Sequence, residues 1–116
     1  DDENVWMGVT VTRSSEKKRL EDLKRNIKAK HYHVTFEPIF DEIGEIDFAG
    51  IDWVVIGTET GHRKGKVDSR PEWVLHIADQ AKAQGIPVFM KEDLLLIMGE
   101  ERMIQELPEQ FIKRIQ

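Results

Sequence analysis

Four short segments rich in β-branched and apolar residues, separated by stretches long enough for a helix or crossover, constrain the fold of this chain most. They are "VWMGVTV" at 5–11, "HVTFEP" at 33–38, "WVVIG" at 53–57 and "IPVFM" at 86–90. Strands that alternate with such connections are typical of a parallel sheet built from right-handed strand–helix–strand units. We therefore predict an α/β fold with four mainly parallel strands, arranged as half of a TIM-like barrel or as an open sheet.

The predicted strands also indicate how the sheet is covered and where one strand stops. The third and fourth segments are apolar at nearly every position, which predicts a sheet covered on both faces. Pro38 should end the second strand, because proline lacks the amide that a ladder uses. Trp6, Trp53 and Trp73 lie within predicted elements, where we expect them to belong to the core.

The first connection predicts an amphipathic helix. Ser14 or Ser15 can cap its first amides. Apolar residues then recur at helical spacing, at Leu20, Leu23 and Ile27. The opposite face carries Lys and Arg residues, which predicts a solvent-exposed helix face.

Each later connection has a different predicted structure. Residues 39–52 have room for one short crossover helix or a packed loop. A second helix is predicted to begin at Pro71, because proline is tolerated in the first turn, and to end before Gly85. The apolar residues after Lys91 predict a C-terminal tail of one or two further helices.

The composition is that of one soluble globular domain spanning residues 1–116. Hydrophobic residues make up 40 % and charged residues 34 % of the chain. No apolar run reaches the roughly 18 residues that a membrane span requires, so we expect no membrane contact. The first residues are acidic and do not resemble a signal peptide, which predicts a cytoplasmic location.

The chain contains no cysteine, so it offers no thiolate ligand for zinc or for an iron–sulfur cluster. Its net charge is -5, which argues against a general nucleic-acid-binding protein. The charge is uneven, however. Residues 13–33 carry eight Lys or Arg against three acids, and residues 37–61 carry seven acids and no Lys or Arg. A nucleic-acid role for the basic segment therefore stays open.

Polar residues follow the predicted strands at their carboxyl ends. Because side chains alternate in a strand, Gly57 and Glu59 share one face of the third strand. Parallel strands present their carboxyl ends at one edge, so Glu37, Glu59 and Lys91 should meet there. Thr10 lies near the carboxyl end of the first strand, and therefore close to the same edge.

This predicted edge has two interpretations. Two carboxylates and an ammonium could bind a polar ligand or relay a proton, with Thr10, Thr12 and Gly57 beside them. Alternatively, Lys91 bridges the two glutamates and closes the top of the sheet, because an unpaired buried charge is costly. A ligand can use the same residues, so the two interpretations are compatible.

The loop "TETGHRKGK" that follows the third strand offers a second candidate site. Its glycines would let backbone amides approach an anion, and His62 and Arg63 could contact that anion. The phosphate-loop pattern fails, because Val67 follows Gly65-Lys66 where serine or threonine is needed. A polar loop without a ligand is the alternative.

Metal binding has little support in the sequence. His31 and His33 lie on one face if the second strand begins early, but nothing fixes a third ligand beside them. The acidic residues between positions 41 and 47 lack the spacing of a calcium loop. We therefore predict no metal site in this chain.

With the strands placed, the joint order of several segments resembles a known family. The segments are "NVWMGVTV", "VTFEPIF", "GIDWVVIGTETG", "PEWVLHIADQAKAQGIPVFMK" and "QELP". Together they resemble the C-terminal half of a bacteriophage-derived family, the phage gp thirty-seven or gp sixty-eight proteins of unknown function, over residues 4–108. Members of this family resemble radical S-adenosylmethionine enzymes.

The resemblance implies roles for individual residues. The family's strand-end acid falls on Glu37, the acid of its glycine-rich turn on Glu59, and its lysine on Lys91. The sequence departs from the family at Thr58, where a second glycine is usual. It departs again directly after Lys91, where Glu-Asp replaces a more usual glutamine and tryptophan, which would alter the rim of the site.

The resemblance also implies that the chain is the C-terminal part of a larger barrel protein. The family's three-cysteine motif for a [4Fe–4S] cluster lies in an N-terminal half. On this view the chain alone is inactive and holds no cofactor, and the full-length protein would bind S-adenosylmethionine and the cluster. The open barrel edges and interior also predict self-association of the chain.

Three hypotheses follow for the function. The first is a half-barrel of a radical S-adenosylmethionine-like protein, with Thr10, Glu37, Glu59 and Lys91 lining the pocket of a small-molecule ligand. The second is a non-enzymatic module of a phage-related complex that binds nucleic acid or protein through the basic helix and residues 62–66. The third is a flavodoxin-like domain that binds a phosphorylated ligand at residues 57–66.

Overall fold

The computed structural model describes residues 6–26, 28–58 and 69–109. Within them the strands are β1 (Trp6–Thr10), β2 (His31–Phe36), β3 (Trp53–Ile56) and β4 (Val88–Met90). The α-helices are α1 (Lys18–Asn26), α2 (Pro71–Ala83) and α3 (Leu95–Met98). Each predicted strand is therefore present, and β2 ends before Pro38 as predicted.

The four strands form one parallel sheet in the order β1-β2-β3-β4. This arrangement confirms the predicted α/β fold and is consistent with an open sheet. A flavodoxin-like fold reverses its strand order at a switch point, where it binds its ligand. The described strands do not have such an order, so the third hypothesis loses its structural basis.

One face of the sheet carries the hydrophobic core. The fully buried strand residues on this face alternate with residues on the other, and they are Val34, Phe36, Val54, Ile56, Val88 and Met90. Leu20 of α1 and Ile77 of α2 pack into the same cluster. Both predicted amphipathic helices therefore bury their apolar stripes against this face.

The opposite face differs from the prediction. Trp6 and Trp53 lie on it, since Trp6 pairs with His31 and Trp53 pairs with His33 across the strands. Neither tryptophan belongs to the buried core cluster, so their assignment to the core was wrong. Trp73 does pack against the core cluster. In the described residues the helices cover only one face, and the prediction of two covered faces was wrong there.

The connection between β2 and β3 is a packed loop rather than a helix. Its Ile39, Ile43 and Phe48 are buried in the core although the segment lacks regular structure. Two glutamines, Gln80 in α2 and Gln84 directly after it, supply hydrogen bonds that a helix would make internally. Gln80 accepts from the amide of Ile46 at 2.8 Å, and Gln84 accepts from the amide of Phe48 at 2.8 Å.

The first helix begins differently from the prediction. A short 3₁₀ segment (Ser14–Glu16) precedes α1, and no serine side chain caps it. Instead, the Ser14 amide and hydroxyl both donate to the Asp41 carboxylate, at 2.8 and 3.0 Å. These bonds tie the start of the helical segment to the β2–β3 loop. Ile27 lies outside the described residues.

The C-terminal tail contains the predicted helical structure and also covers one sheet edge. After α3, the chain returns alongside β4, where the amide of Met90 donates to Ile104 at 2.7 Å and the amide of Glu106 donates to Val88 at 2.8 Å. The contact is a short antiparallel bridge between Phe89 and Gln105. This bridge occupies part of the outer edge of β4.

Candidate functional site

Glu37 and Lys91 form an ion pair at the carboxyl edge of the sheet. Glu37 directly follows β2 and Lys91 directly follows β4, and Lys91 Nζ donates to Glu37 Oε2 at 2.8 Å. The backbone ladder continues past the strands. The amide of Gly57 donates to Phe36 at 2.9 Å, and the amide of Lys91 donates to Ile56 at 2.8 Å. Glu37, Gly57 and Lys91 therefore lie side by side on one face.

Gly57 makes this ion pair geometrically possible. Strand β3 lies between β2 and β4. The Glu37 side chain must therefore cross β3 to reach Lys91. A Cβ atom built on Gly57 would lie 2.8 Å from Glu37 Cδ and Oε1, closer than real carbon atoms approach. The missing side chain at Gly57 leaves the space that the Glu37 carboxylate occupies.

Asp93 is a further member of the site that the sequence prediction did not include. The amide of Thr58 donates to Asp93 Oδ1 at 3.1 Å. Burial raises the pKa of Asp93 above its ordinary value, and the charge and hydrogen bond of Glu37 raise it further. The Thr58 hydrogen bond and the Lys91 charge lower this pKa, but they offset only part of the rise. We call Glu37, Lys91 and Asp93 the acid–lysine cluster.

The chemistry of this cluster follows from its charges. Two carboxyl groups with one ammonium hold one more negative charge than positive charge when both acids are ionised. Burial and the neighbouring Glu37 carboxylate both disfavour the ionised form of Asp93, so Asp93 retains its proton to higher pH. The cluster can therefore accept hydrogen bonds from amines or hydroxyls and, when protonated, can also donate one.

Thr10 and Thr12 make other contacts. The Thr10 carbonyl accepts a hydrogen bond from Arg19 Nη1 at 2.9 Å. The Thr12 amide and hydroxyl donate to Glu16 Oε1 at 2.7 and 2.8 Å, and these bonds lower the pKa of Glu16. The contacts that the structure describes thus join Glu37, Gly57 and Lys91 but tie Thr12 to the segment before α1.

Three predicted site residues, Glu59, His62 and Arg63, lie outside the described residues. The bridge by Lys91 is accordingly described for Glu37 alone. One cavity of about 560 Å³ lies at the opposite end of β4 from Lys91 and is lined in part by Pro87 and Glu106. It does not include the acid–lysine cluster.

The histidines considered as metal ligands lie on β2. β2 begins at His31, so His31 and His33 do share one face. Among the described residues, no group of three or more His, Asp or Glu side chains is arranged to hold a metal ion. Across the same residues, no helix has the length and apolar character that crossing a membrane requires.

Several basic side chains of the first helical region contact the protein itself. Lys17 Nζ donates to the Glu45 carbonyl at 3.1 Å, and Lys24 Nζ donates to the Ala49 carbonyl at 2.8 Å. Arg19 contacts Glu16 as well as Thr10. These contacts hold α1 against the β2–β3 loop and β1. They give no specific support to nucleic-acid binding, which stays a prediction.

The fold and the acid–lysine cluster define an α/β protein with polar side chains gathered at the carboxyl ends of parallel strands. Comparison with sequence models of protein families assigns this α/β protein to one family. The chain belongs to the family described as protein of unknown function DUF5131, whose sequence model matches residues 1–100. The comparisons with curated proteins and with solved structures gave no match. The phage-derived and radical S-adenosylmethionine parts of the resemblance therefore stay predictions.

Proposed function

We propose that the acid–lysine cluster binds the polar groups of a small-molecule ligand in a barrel-like protein that resembles radical S-adenosylmethionine enzymes. The observation that carries this proposal is the ion pair of Glu37 and Lys91, which joins residues 54 positions apart across three neighbouring chain segments. Parallel α/β folds bind their ligands at this edge of the sheet. The raised pKa of Asp93 adds a group whose charge a ligand can change.

The order of the strands and the positions of their connections support the barrel part of the proposal. Consecutive parallel strands that are also neighbours in space, joined by right-handed connections, place all connections on the same face. That is the local arrangement of a barrel wall, in which helices lie outside and the other face lies inside. On this view the acid–lysine cluster belongs to the rim of the barrel interior.

The cofactors implied by the resemblance fit this chain to different degrees. A [4Fe–4S] cluster is held by cysteine thiolates, and the chain contains no cysteine, so its residues do not fit that group. S-adenosylmethionine carries an amino group and hydroxyls, and the Glu37 and Asp93 carboxyls can accept hydrogen bonds from such groups. In the proposal these residues orient the ligand, Lys91 holds an acidic group or tunes their protonation, and Glu59, His62 and Arg63 complete the rim.

Calorimetric titration of the intact protein with S-adenosylmethionine tests the proposal. Glu37→Gln should weaken binding by about 10-fold or more, because hydrogen bonds to charged groups contribute about 1.5–3 kcal/mol. Gly57→Ala should also weaken binding, since it moves the same carboxylate without removing it. Glu45→Gln is the matched control, because Glu45 is an exposed loop residue and should leave the affinity unchanged.

The outcomes separate clearly. Weaker binding in both Glu37→Gln and Gly57→Ala, with Glu45→Gln unchanged, supports a ligand at the acid–lysine cluster. Equal affinity in the wild type and all three variants would show that Glu37 does not contribute to S-adenosylmethionine binding, and would contradict the proposal. Circular dichroism of each variant checks that the fold is retained.

A further inference from the structure

Two hydroxyl side chains are buried at the carboxyl edge of the sheet. Thr58 lies two residues after β3 and is 5 % exposed, and Ser69 lies two residues before α2 and is 1 % exposed. Within the described residues, these are the two polar side chains that are buried. Burying a polar side chain costs free energy unless it is hydrogen-bonded, so each hydroxyl needs a partner.

The two hydroxyls form one continuous series of hydrogen bonds with their partners. The amide of Ile39 donates to Ser69 Oγ at 2.9 Å, and the amide of Ser69 donates to Thr58 Oγ1 at 3.2 Å. The amide of Thr58 in turn donates to Asp93 Oδ1 at 3.1 Å. We call these three bonds the hydroxyl chain. It connects the segments that follow β2, β3 and β4 with the segment that precedes α2.

Both ends of the hydroxyl chain lie at the acid–lysine cluster. Ile39 is two residues after Glu37, and Asp93 is itself a member of the cluster. Between these ends, Thr58 accepts a hydrogen bond through its side chain and donates one through its amide. Holding Thr58 by its Oγ1 restricts the backbone rotations that would turn its amide away from Asp93. The bond to Asp93 therefore depends on the bond from Ser69.

We propose that Thr58 and Ser69 are positioning residues of the acid–lysine cluster, which hold the Asp93 carboxyl beside Glu37 through the hydroxyl chain. The inference goes beyond the proposed function, because it concerns the geometry of the cluster with or without a bound ligand. The two hydroxyls are buried and act through Asp93, whereas a ligand would contact the cluster itself.

The pKa of Asp93 gives a readout of this positioning. The hydrogen bond from the Thr58 amide lowers the pKa of Asp93, because a donor to a carboxylate favours its ionised form. Weakening that bond should therefore raise the pKa of Asp93. A loss of global stability does not by itself change the pKa of a side chain in the folded protein. The readout thus separates positioning from a merely structural role.

Carbon-detected NMR of the Asp93 carboxyl in two Thr58 variants tests the inference. Thr58→Val keeps the branched shape but removes the acceptor of the Ser69 amide, so the pKa of Asp93 should rise above that of the wild type. Thr58→Ser keeps a hydroxyl and should restore the wild-type pKa. Thr35→Val is the matched control, because it makes the same change at a partly exposed residue of β2 and should leave the pKa unchanged.

Hydrogen exchange follows the individual bonds of the hydroxyl chain. In Thr58→Val the Ser69 amide should lose protection by about 5-fold or more, and in Thr58→Ser it should stay protected. In Ser69→Ala the Ile39 amide should lose protection by a similar factor, because Ser69 Oγ is its acceptor. If Thr58→Val does not fold, Thr58→Ala removes the same acceptor without a branched side chain and should give the same rise in the pKa of Asp93.

Two results would overturn the inference. The first is an unchanged Asp93 pKa in Thr58→Val, whether or not the Ser69 amide loses protection. The second is an equal rise of this pKa in Thr58→Val, Thr58→Ser and Thr35→Val. Titration with S-adenosylmethionine keeps the proposed function separate. A raised Asp93 pKa in Thr58→Val alone, with unchanged affinity for S-adenosylmethionine, would support this inference and count against the proposed function.

Discussion

Phe36→Ala is expected to lower the free energy of unfolding by about 3–5 kcal/mol, the usual cost of removing a buried phenylalanine side chain. Phe36 is fully buried and packs edge-to-face against Phe48, with ring centroids 6.3 Å apart. It therefore joins β2 to the β2–β3 loop. Its loss leaves a cavity directly below the strand end that presents Glu37.

Urea unfolding followed by circular dichroism measures this effect. Thr35→Ala is the matched control, because Thr35 lies on the same strand, faces the other side and is partly exposed. We expect that control to change stability by less than about 1 kcal/mol. Similar losses in the two variants would mean that β2 does not bury the face that the structure assigns to the core.

The double variant Gln80→Ala/Gln84→Ala is expected to lower the free energy of unfolding by about 2–5 kcal/mol. Each glutamine satisfies two backbone groups of the β2–β3 loop. Gln80 also donates to the Gly44 carbonyl at 2.9 Å, and Gln84 to the Ile46 carbonyl at 3.0 Å. Removing both side chains breaks four hydrogen bonds to partly buried groups, and the net contribution of each bond to stability is about 0.5–1.5 kcal/mol.

Hydrogen exchange gives this prediction a local readout. The amides of Ile46 and Phe48 should lose protection in the double variant, because they donate to the two glutamines. Lys82→Ala is the control, since Lys82 lies between the glutamines in sequence and is exposed. Unchanged protection of both amides in the double variant would show that α2 does not hold the loop.

Much of the fold could be predicted because its signals are local. Four apolar segments and two amphipathic stripes fix the strands, α1 and α2 through periodicities that need no tertiary information. The edge shared by Glu37 and Lys91 was predictable for the same reason. Strand direction and side-chain alternation alone place both residues on one face at the carboxyl ends.

The parts that could not be predicted depend on partners distant in sequence. Gln80 replaces helical hydrogen bonds in a loop more than 30 residues away, so the periodicity of the loop alone cannot distinguish a packed loop from a helix. Asp93 reaches Thr58 from a 3₁₀ turn (Glu92–Leu94), whose direction no strand pattern encodes. An acidic residue two positions after the strand-end lysine was the one available signal.

The position of Trp6 and Trp53 on the face away from the core was missed for a different reason. A tryptophan in a strand has the same local pattern whether its face is covered by helices or left open. The register of β1 and β3 against β2 decides which face Trp6 and Trp53 occupy, and the alternate residues that bury in the core specify that register. Sequence parity could have placed Trp6 with Gly8 and Thr10 on the polar face, which was the signal against a core position.

The pKa of Asp93 in three proteins tests most directly whether Glu37, Lys91 and Asp93 form one cluster. Carbon-detected NMR can follow its carboxyl group in the wild type, in Glu37→Gln and in Lys91→Met. Because Glu37 raises the pKa of Asp93 and Lys91 lowers it, the pKa should fall in Glu37→Gln and rise in Lys91→Met. An Asp93 pKa that stays the same in both variants would contradict the account.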